Sequence, residues 1–238
     1  MPVKNILSAL TCAAVLGVAS AHAADINLTT EDYKPFNYME DGKIVGFGAD
    51  QVFEIMDRAG ITYAVEMAQW SRAIGLAETR PGFCVFTAAH TAERDAKFSW
   101  VEPLNVDRTL LIKKVGSDVN PADVEDAKRY VVGTQSQDFT ETLLTQMEFP
   151  KIDAAGNMEA TLKKLEAGRV DLVAVSGAFY EALKRDGRDV EQALIISETV
   201  LSMACNPGTD AGLIARMQSA LDEMIADGTQ AEILAKYQ

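Results

Sequence analysis

The sequence is short of histidine, cysteine and positive charge, and it has no apolar run long enough to span a bilayer comfortably. Its two histidines are His22 and His90, and its three cysteines are Cys12, Cys84 and Cys205. Scattered as they are, they argue against a histidine- or cysteine-rich metal cluster, and Cys84 and Cys205 cannot make a zinc site by themselves. No Gly-x-Ser-x-Gly elbow occurs, and single histidines with dispersed serines are a poor basis for a nucleophilic triad. Accordingly no catalytic residue, metal ligand or cofactor is assigned. Lys and Arg number 22 against 35 Asp and Glu, a formal charge of −13. A chain this acidic repels nucleic acid and anionic membrane surfaces, so nucleic acid is not an expected partner. Any anion it binds must be held by a local basic site.

What is present begins with an export signature. Lys4 supplies a positive start, residues 6–19 are mostly apolar, and Ala21-His22-Ala23 has the A-x-A form of a cleavage site. The run falls short of the ~20 apolar residues of a membrane span. Residues 1–23 are therefore expected to be a signal peptide, and the mature chain to begin near Ala24 in the periplasm. Cys12 follows Thr11, not a lipobox residue, so lipidation is not expected. Export permits a disulfide, and Cys84 with Cys205 reads equally as a bonded pair or as two buried small hydrophobes.

The mature chain alternates strand and helix patterns. Ile26-Asn27-Leu28 reads as a strand, and Val52, Phe53, Ile55, Met56 and Ala59 as the apolar side of a helix that Gly60 stops. Residues 63–67, 83–86, 109–113 and 130–132 read as strands, and residues 70–78 as a helix. Asn157 is placed to cap a helix with Met158, Leu162 and Leu165 on one side. Residues 170–175 are nearly all apolar, as a strand covered on both faces requires. Leu213, Met217, Ala220, Leu221, Met224 and Ile225 make one stripe near the C-terminus, and Thr229 with Glu232 has the spacing of a capping box for a last helix. Alternation of this kind implies an α/β architecture with mostly parallel sheets flanked by helices. No linker-like segment is present, so two lobes would be joined by crossing strands, the outward one near Pro103–Thr109 and the return near Glu198–Cys205.

Several stretches resemble one family in order. They are Tyr33-Lys34-Pro35-Phe36, Gly42 to Phe47 with Asp50, Thr91-Ala92-Glu93-Arg94, Phe98 to Pro103, Gly168-Arg169-Val170-Asp171, and Asp227-Gly228-Thr229 through Tyr237. Together they resemble the polar amino-acid-binding proteins of ABC importers, the family 3 solute-binding proteins with a type II periplasmic-binding fold. The resemblance implies two α/β lobes, residues 24–106 with 204–238 and residues 107–203, around a ligand cleft that closes by a hinge. It implies a monomer that delivers a small carboxylate-bearing ligand, most simply an amino acid, to an inner-membrane ABC permease. It also implies that Arg94 grips the ligand carboxylate, for which a planar guanidinium is bidentate; the other reading is a surface arginine paired with Glu93 or Asp95. By the same resemblance Tyr33 and Thr87 meet the ligand, while Phe36 reads as either core or site and Trp70 as either pocket wall or core anchor. Arg72 is a second candidate anion ligand or a solvated side chain. Ser136 and Gln137 precede a helix N-terminus, a natural carboxylate seat, which Asp138 and Glu141 could also cap.

The chain departs from the family pattern at ligand positions. Where the family places an acid for the ligand's α-ammonium, this chain has Ser176, which carries no charge. Either Asp138 or another carboxylate takes that role, or the ligand lacks an ordinary α-amine. The stretch Phe86-Thr87-Ala88-Ala89-His90 is also less polar than the family pattern. Two alternatives follow: an enzyme on the same scaffold, similar to cyclohexadienyl dehydratases, or a ligand-binding sensor component.

Overall fold

The computed structural model describes residues 24–237, so the expected signal peptide lies outside the described residues. The chain begins with β1 (Ile26–Thr30), a hairpin of β2 (Tyr38–Glu40) and β3 (Lys43–Val45), α1 (Phe47–Ala59), β4 (Tyr63–Met67), α2 (Trp70–Thr79) and β5 (Phe83–Ala89). A 3-10 turn, Asp95–Lys97, leads into β6 (Ser99–Lys114). Then come α3 (Val124–Ala127), β7 (Val132–Gln135), α4 (Phe139–Gln146), β8 (Ile152–Ala155), α5 (Met158–Glu166), β9 (Leu172–Ser176) and α6 (Gly177–Arg185). The long strand β10 (Val190–Cys205) precedes the closing helices α7 (Ala211–Asp227) and α8 (Thr229–Ala235).

Eight strands form one sheet in the order β4-β1-β5-β10-β6-β9-β7-β8. Pairing is parallel toward both ends, where β1 joins β4 and β5, and β7 joins β8 and β9. The centre is antiparallel, with β10 lying between β5 and β6 and β6 also pairing with β9. The segments expected to cross, Pro103–Thr109 and Glu198–Cys205, lie in the middle of β6 and in the second half of β10, two 16-residue strands that pair along their length.

The apolar runs are explained by two-sided burial. In β6, Leu110 and Ile112 pack with Met158, Leu162, Val173 and Val175, while Leu111 between them packs with Val132, Leu144 and Leu172. In β5, Cys84 and Phe86 join a core built on α1 and α7, while Val85 and Ala88 join one built on α2. Successive side chains in a strand point to opposite faces, so a strand with helices on both faces must be apolar throughout. Cys84 and Cys205, opposite one another in β5 and β10, form a disulfide.

Local rules hold at most element ends. Gly60 closes α1 in the left-handed conformation at φ 60°. Asn157 caps α5, accepting from the amide of Ala160 at 2.8 Å. The last helix is an exception. Gly228 is its N-cap, and the Thr229 hydroxyl instead accepts from Arg58 of α1 at 2.9 Å, so the expected capping box does not form. Ile225, placed on the buried stripe of α7, is 42% exposed. Met217, Ala220, Leu221 and Met224 are buried as expected.

Candidate functional site

The carboxyl ends of β1, β5, β7 and β9 converge on one cavity of about 40 Å³, the place where open α/β sheets put their ligands. Glu31 follows β1, Thr87 and Ala89 end β5, Gln135 ends β7 and Ser176 ends β9, and all of them line the cavity. Tyr33, Phe36, Trp70, Asp138 and Met158 complete most of its wall. Glu31, Tyr33, Trp70, Gln135 and Met158 also line a wider groove of about 720 Å³.

Arg94 is not among the residues lining this cavity; it lies against Ala89 and Trp70 of the cavity wall, in a turn that the main chain closes, since the amides of Arg94 and Asp95 both donate to the carbonyl of Thr91 at 2.9 Å. Its residue exposure is 8%. Nη1 donates to the carbonyl of Ala89 at 3.3 Å and Nη2 to that of Gln137 at 3.1 Å. The guanidinium lies 5.5 Å from the ring centre of Trp70, within cation–π range. Neither Glu93 nor Asp95 hydrogen-bonds it, as a surface arginine would require. Burial lowers its pKa, and the charges of Asp138, Glu93, Glu78 and Glu31 act the other way.

Trp70 opens α2 and belongs to the core cluster with Ala73, Ala77 and Val85, while its indole N–H donates to the Gln137 carbonyl at 3.0 Å. Trp70 is thus both part of a core cluster and part of the cavity lining. Phe36 likewise is fully buried and lines the cavity. Tyr33 stacks on Phe179 at 4.4 Å and Phe36 at 5.5 Å, and its hydroxyl accepts from the Ser176 amide at 3.2 Å. Thr87 has a left-handed φ of 61°, and its hydroxyl donates to Oδ1 of Asn37 at 3.0 Å. Gly48 makes that contact possible, because a Cβ there would come within 2.4 Å of the Thr87 hydroxyl.

The structure does not bring every candidate to the cavity. Arg72 is exposed and pairs with Glu66 at 3.3 Å. Ser136 continues the β7–β8 ladder through its amide, donating to Ala155. Gln135, one residue earlier, lines the cavity in its place. Gln137, with a φ of 62°, offers its carbonyl and not its side chain. Asp138 caps α4 by accepting from the Thr140 amide at 2.9 Å, and Glu141 accepts from the Gln137 amide at 2.7 Å, a capping box displaced by one residue. Ser176 caps α6, accepting from the Phe179 amide at 3.1 Å. His90 is not among the residues lining the cavity.

Glu31, which belongs to none of the motifs, also lines the cavity. Its carboxylate accepts from Nε2 of Gln135 at 2.7 Å. Burial pushes its pKa up to about 8, with help from Asp138 and Asp32 and against the hydrogen bond from Gln135 and the charge of Arg94. It was legible only as an acid at the carboxyl end of a strand, just before the Tyr33 motif.

Comparison with known proteins agrees with this architecture. The model of bacterial extracellular solute-binding proteins, family 3, matches residues 26–238. The chain is 27% identical over 241 residues to the putative amino-acid ABC transporter-binding protein PatH of Vibrio harveyi, covering 98% of this chain and 97% of that one. It is 24% identical over 249 residues to the probable amino-acid-binding protein YxeM of Bacillus subtilis (strain 168), covering 96% and 93%. Among solved structures, the ancestral amino acid-binding protein AncCDT-1, a precursor of cyclohexadienyl dehydratase, superimposes with a TM-score of 0.79 at 20% identity, covering 89% of this chain and 94% of that one. That likeness shows the fold, the type II periplasmic-binding architecture expected from the sequence. The match along residues 26–238 makes this chain a member of the bacterial extracellular solute-binding proteins, family 3.

Proposed function

We propose that this chain is the capture component of an ABC importer, exported to the periplasm through residues 1–23, and that it binds a small carboxylate-bearing ligand, most simply an amino acid, by its carboxylate. The observation that carries the reading is Arg94. A guanidinium buried beside the cavity has only main-chain carbonyls as hydrogen-bond acceptors. Burying a charge is costly unless it is paired, and a ligand carboxylate supplies the pair. Tyr33, Phe36, Trp70, Thr87 and Ser176 are the other proposed contacts, with Gln137 contributing its carbonyl and Ser136 and Arg72 standing further out.

Glu31 is the carboxylate proposed for the ligand's ammonium, the partner that Ser176 cannot be. It lines the same cavity as Ser176. At neutral pH it holds a proton, so an arriving ammonium would displace that proton and leave an ion pair.

The lobes are residues 24–106 with 204–238, and 107–203. Contacts from Glu31, Tyr33, Trp70 and Arg94 to Gln135, Gln137 and Ser176 run from one to the other. A cavity of about 40 Å³ is far below the ~300–1,000 Å³ of ordinary ligand pockets. Entry therefore requires these contacts to yield and the lobes to part about β6 and β10, the hinge motion common in such folds. The names of both curated relatives support binding over catalysis.

The test is titration calorimetry of residues 24–238 against L-α-amino acids, their deaminated acids and cyclohexadienyl acids. Saturable binding of an amino acid without turnover is expected. Binding of acids only would remove Glu31 from its role, and turnover of a cyclohexadienyl acid would overturn the binding-protein reading.

A further inference from the structure

We propose that His90 is a positioning residue for Arg94: its imidazolium fixes the turn that carries Arg94, so ligand capture weakens once the ring loses its proton. The proposal rests on the reading of Arg94 as the carboxylate receptor only for its binding consequence.

The ring lies between two carboxylates. Nδ1 is 2.7 Å from Oε2 of Glu102, and Nε2 is 2.9 Å from Oδ1 of Asp95. An ionised carboxylate accepts and never donates, so the two contacts are both hydrogen bonds only when both ring nitrogens carry protons. Glu102 comes from β6, where its oxygen also accepts from the Ser202 hydroxyl of β10 at 2.7 Å. Its main chain is held by Gln218 of α7 at 2.9 and 2.8 Å. This side of the clamp is therefore anchored in the sheet.

Asp95 is the other side, and it follows Arg94 directly. Trp100 stacks on the His90 ring at 4.0 Å and 11°, and its indole N–H donates to the Asp95 carbonyl at 3.2 Å. Asp95 is thus held through both its side chain and its main chain. The His90 amide donates to Val200 of β10 at 2.9 Å, which ties down the start of the same turn. Arg94 sits within a turn that the main chain closes through Thr91 and that the His90 ring also ties from its start to Asp95. Its guanidinium reaches Gln137 only while that turn keeps its shape.

The charged groups facing the ring are Glu102 from β6 and Asp95 from the turn, and β10 offers the uncharged Ser202. Lys97, at the end of the adjoining 3-10 turn, pairs instead with Glu93 at 3.6 Å and Glu78 at 3.9 Å. Burial pulls the ring's pKa down, but the hydrogen bonds and charges of Glu102 and Asp95 outweigh it and the net shift is upward. For a histidine raised in this way, the clamp is complete below the unfolded value of about 6.5 and is lost as pH rises through the folded value.

The experiment follows the Arg94 side-chain Nε–Hε signal and the His90 ring by NMR from pH 5.5 to 9, in the mature chain and in His90→Gln. Glutamine cannot be protonated, so its turn has no switch. The expected result is a His90 midpoint above about 6.5, an Arg94 signal that moves with the same midpoint, and no such inflection in His90→Gln. The binding arm uses L-arginine as the probe at pH 6 and 8.5. The dissociation constant should rise roughly threefold to tenfold more in the parent chain than in His90→Gln. Glu31 titrates in this window in both proteins, so the difference between them is the readout. An Arg94 signal indifferent to His90, or a midpoint at or below about 6.5, overturns the proposal. If L-arginine binds neither protein, the NMR linkage still decides, and the failure belongs to the ligand reading.

Discussion

Arg94 Nη2 donates to the main-chain carbonyl of Gln137 at 3.1 Å, joining residues 43 apart in sequence. The same carbonyl, of a residue with a left-handed φ of 62°, also accepts from the Trp70 indole at 3.0 Å. A ligand carboxylate would compete for those same two donors. Under the proposed function, opening the cleft and loading it would be linked through one carbonyl oxygen.

Arg94→Ala should abolish binding of any carboxylate ligand, a loss of about 2–5 kcal/mol, because it removes the charge-assisted partner. The melting temperature should change little, since the variant also relieves a buried charge. Arg94→Lys should recover only part of the affinity, as an ammonium cannot grip a carboxylate bidentately. Calorimetry of the two variants beside the parent checks this, and normal binding by Arg94→Ala would remove the residue from the site.

Glu31 sets a pH dependence of stability with a definite sign. Its folded pKa of about 8 exceeds the ordinary 4.5, so the folded state keeps a proton that the unfolded state releases. Stability contributed by that proton is complete below pH 4.5 and is lost as pH rises toward 8. Glu31→Gln should flatten this decline and stabilise the protein at pH 8 by at most about 5 kcal/mol. Denaturant unfolding at several pH values measures it; parallel profiles for the two proteins would contradict the assignment. With an amine-bearing ligand, the binding enthalpy at pH 7 should also vary with buffer ionisation enthalpy, reporting proton release.

The Cys84–Cys205 disulfide closes a sequence separation of 121 residues. Cross-linking positions so distant restricts the unfolded chain strongly, and loss of such a bond typically costs 2–5 kcal/mol. The double variant Cys84→Ala, Cys205→Ala should unfold at lower denaturant concentration by about that much, with ligand affinity retained because neither residue lines the cavity.

Gly46 has a φ of 120°, and a Cβ there would lie 2.4 Å from the Phe36 carbonyl oxygen. Gly46→Ala should lose about 1–3 kcal/mol through strain and displacement of the Tyr33–Phe36 segment. Binding should weaken along with stability, because Tyr33 and Phe36 move with that segment; unchanged melting would show that the backbone relaxes freely.

Much of the fold was legible because its signals are local. Gly60 stops α1, Asn157 caps α5, and the all-apolar residues 172–175 announce a strand covered on both faces. The errors arose where a distant element intervened. Thr229 looks like a cap in sequence, but Arg58, 171 residues away, takes its hydroxyl. Ser136 and Gln135 differ by one residue, and only the strand's period-two alternation in its actual register decides which of them lines the cavity.

Local pattern and ordered motifs were enough for the alternating α/β architecture and the family, and they named Arg94 and Tyr33 as candidates. Only the folded chain shows that Cys84 meets Cys205, that Glu31 brings a carboxylate to the cavity that Ser176 also lines, and that His90 lies between Glu102 and Asp95. The physical reason is range. Propensity, capping and periodicity act within a few residues, whereas a disulfide, a buried acid and a two-sided clamp depend on which strands become neighbours.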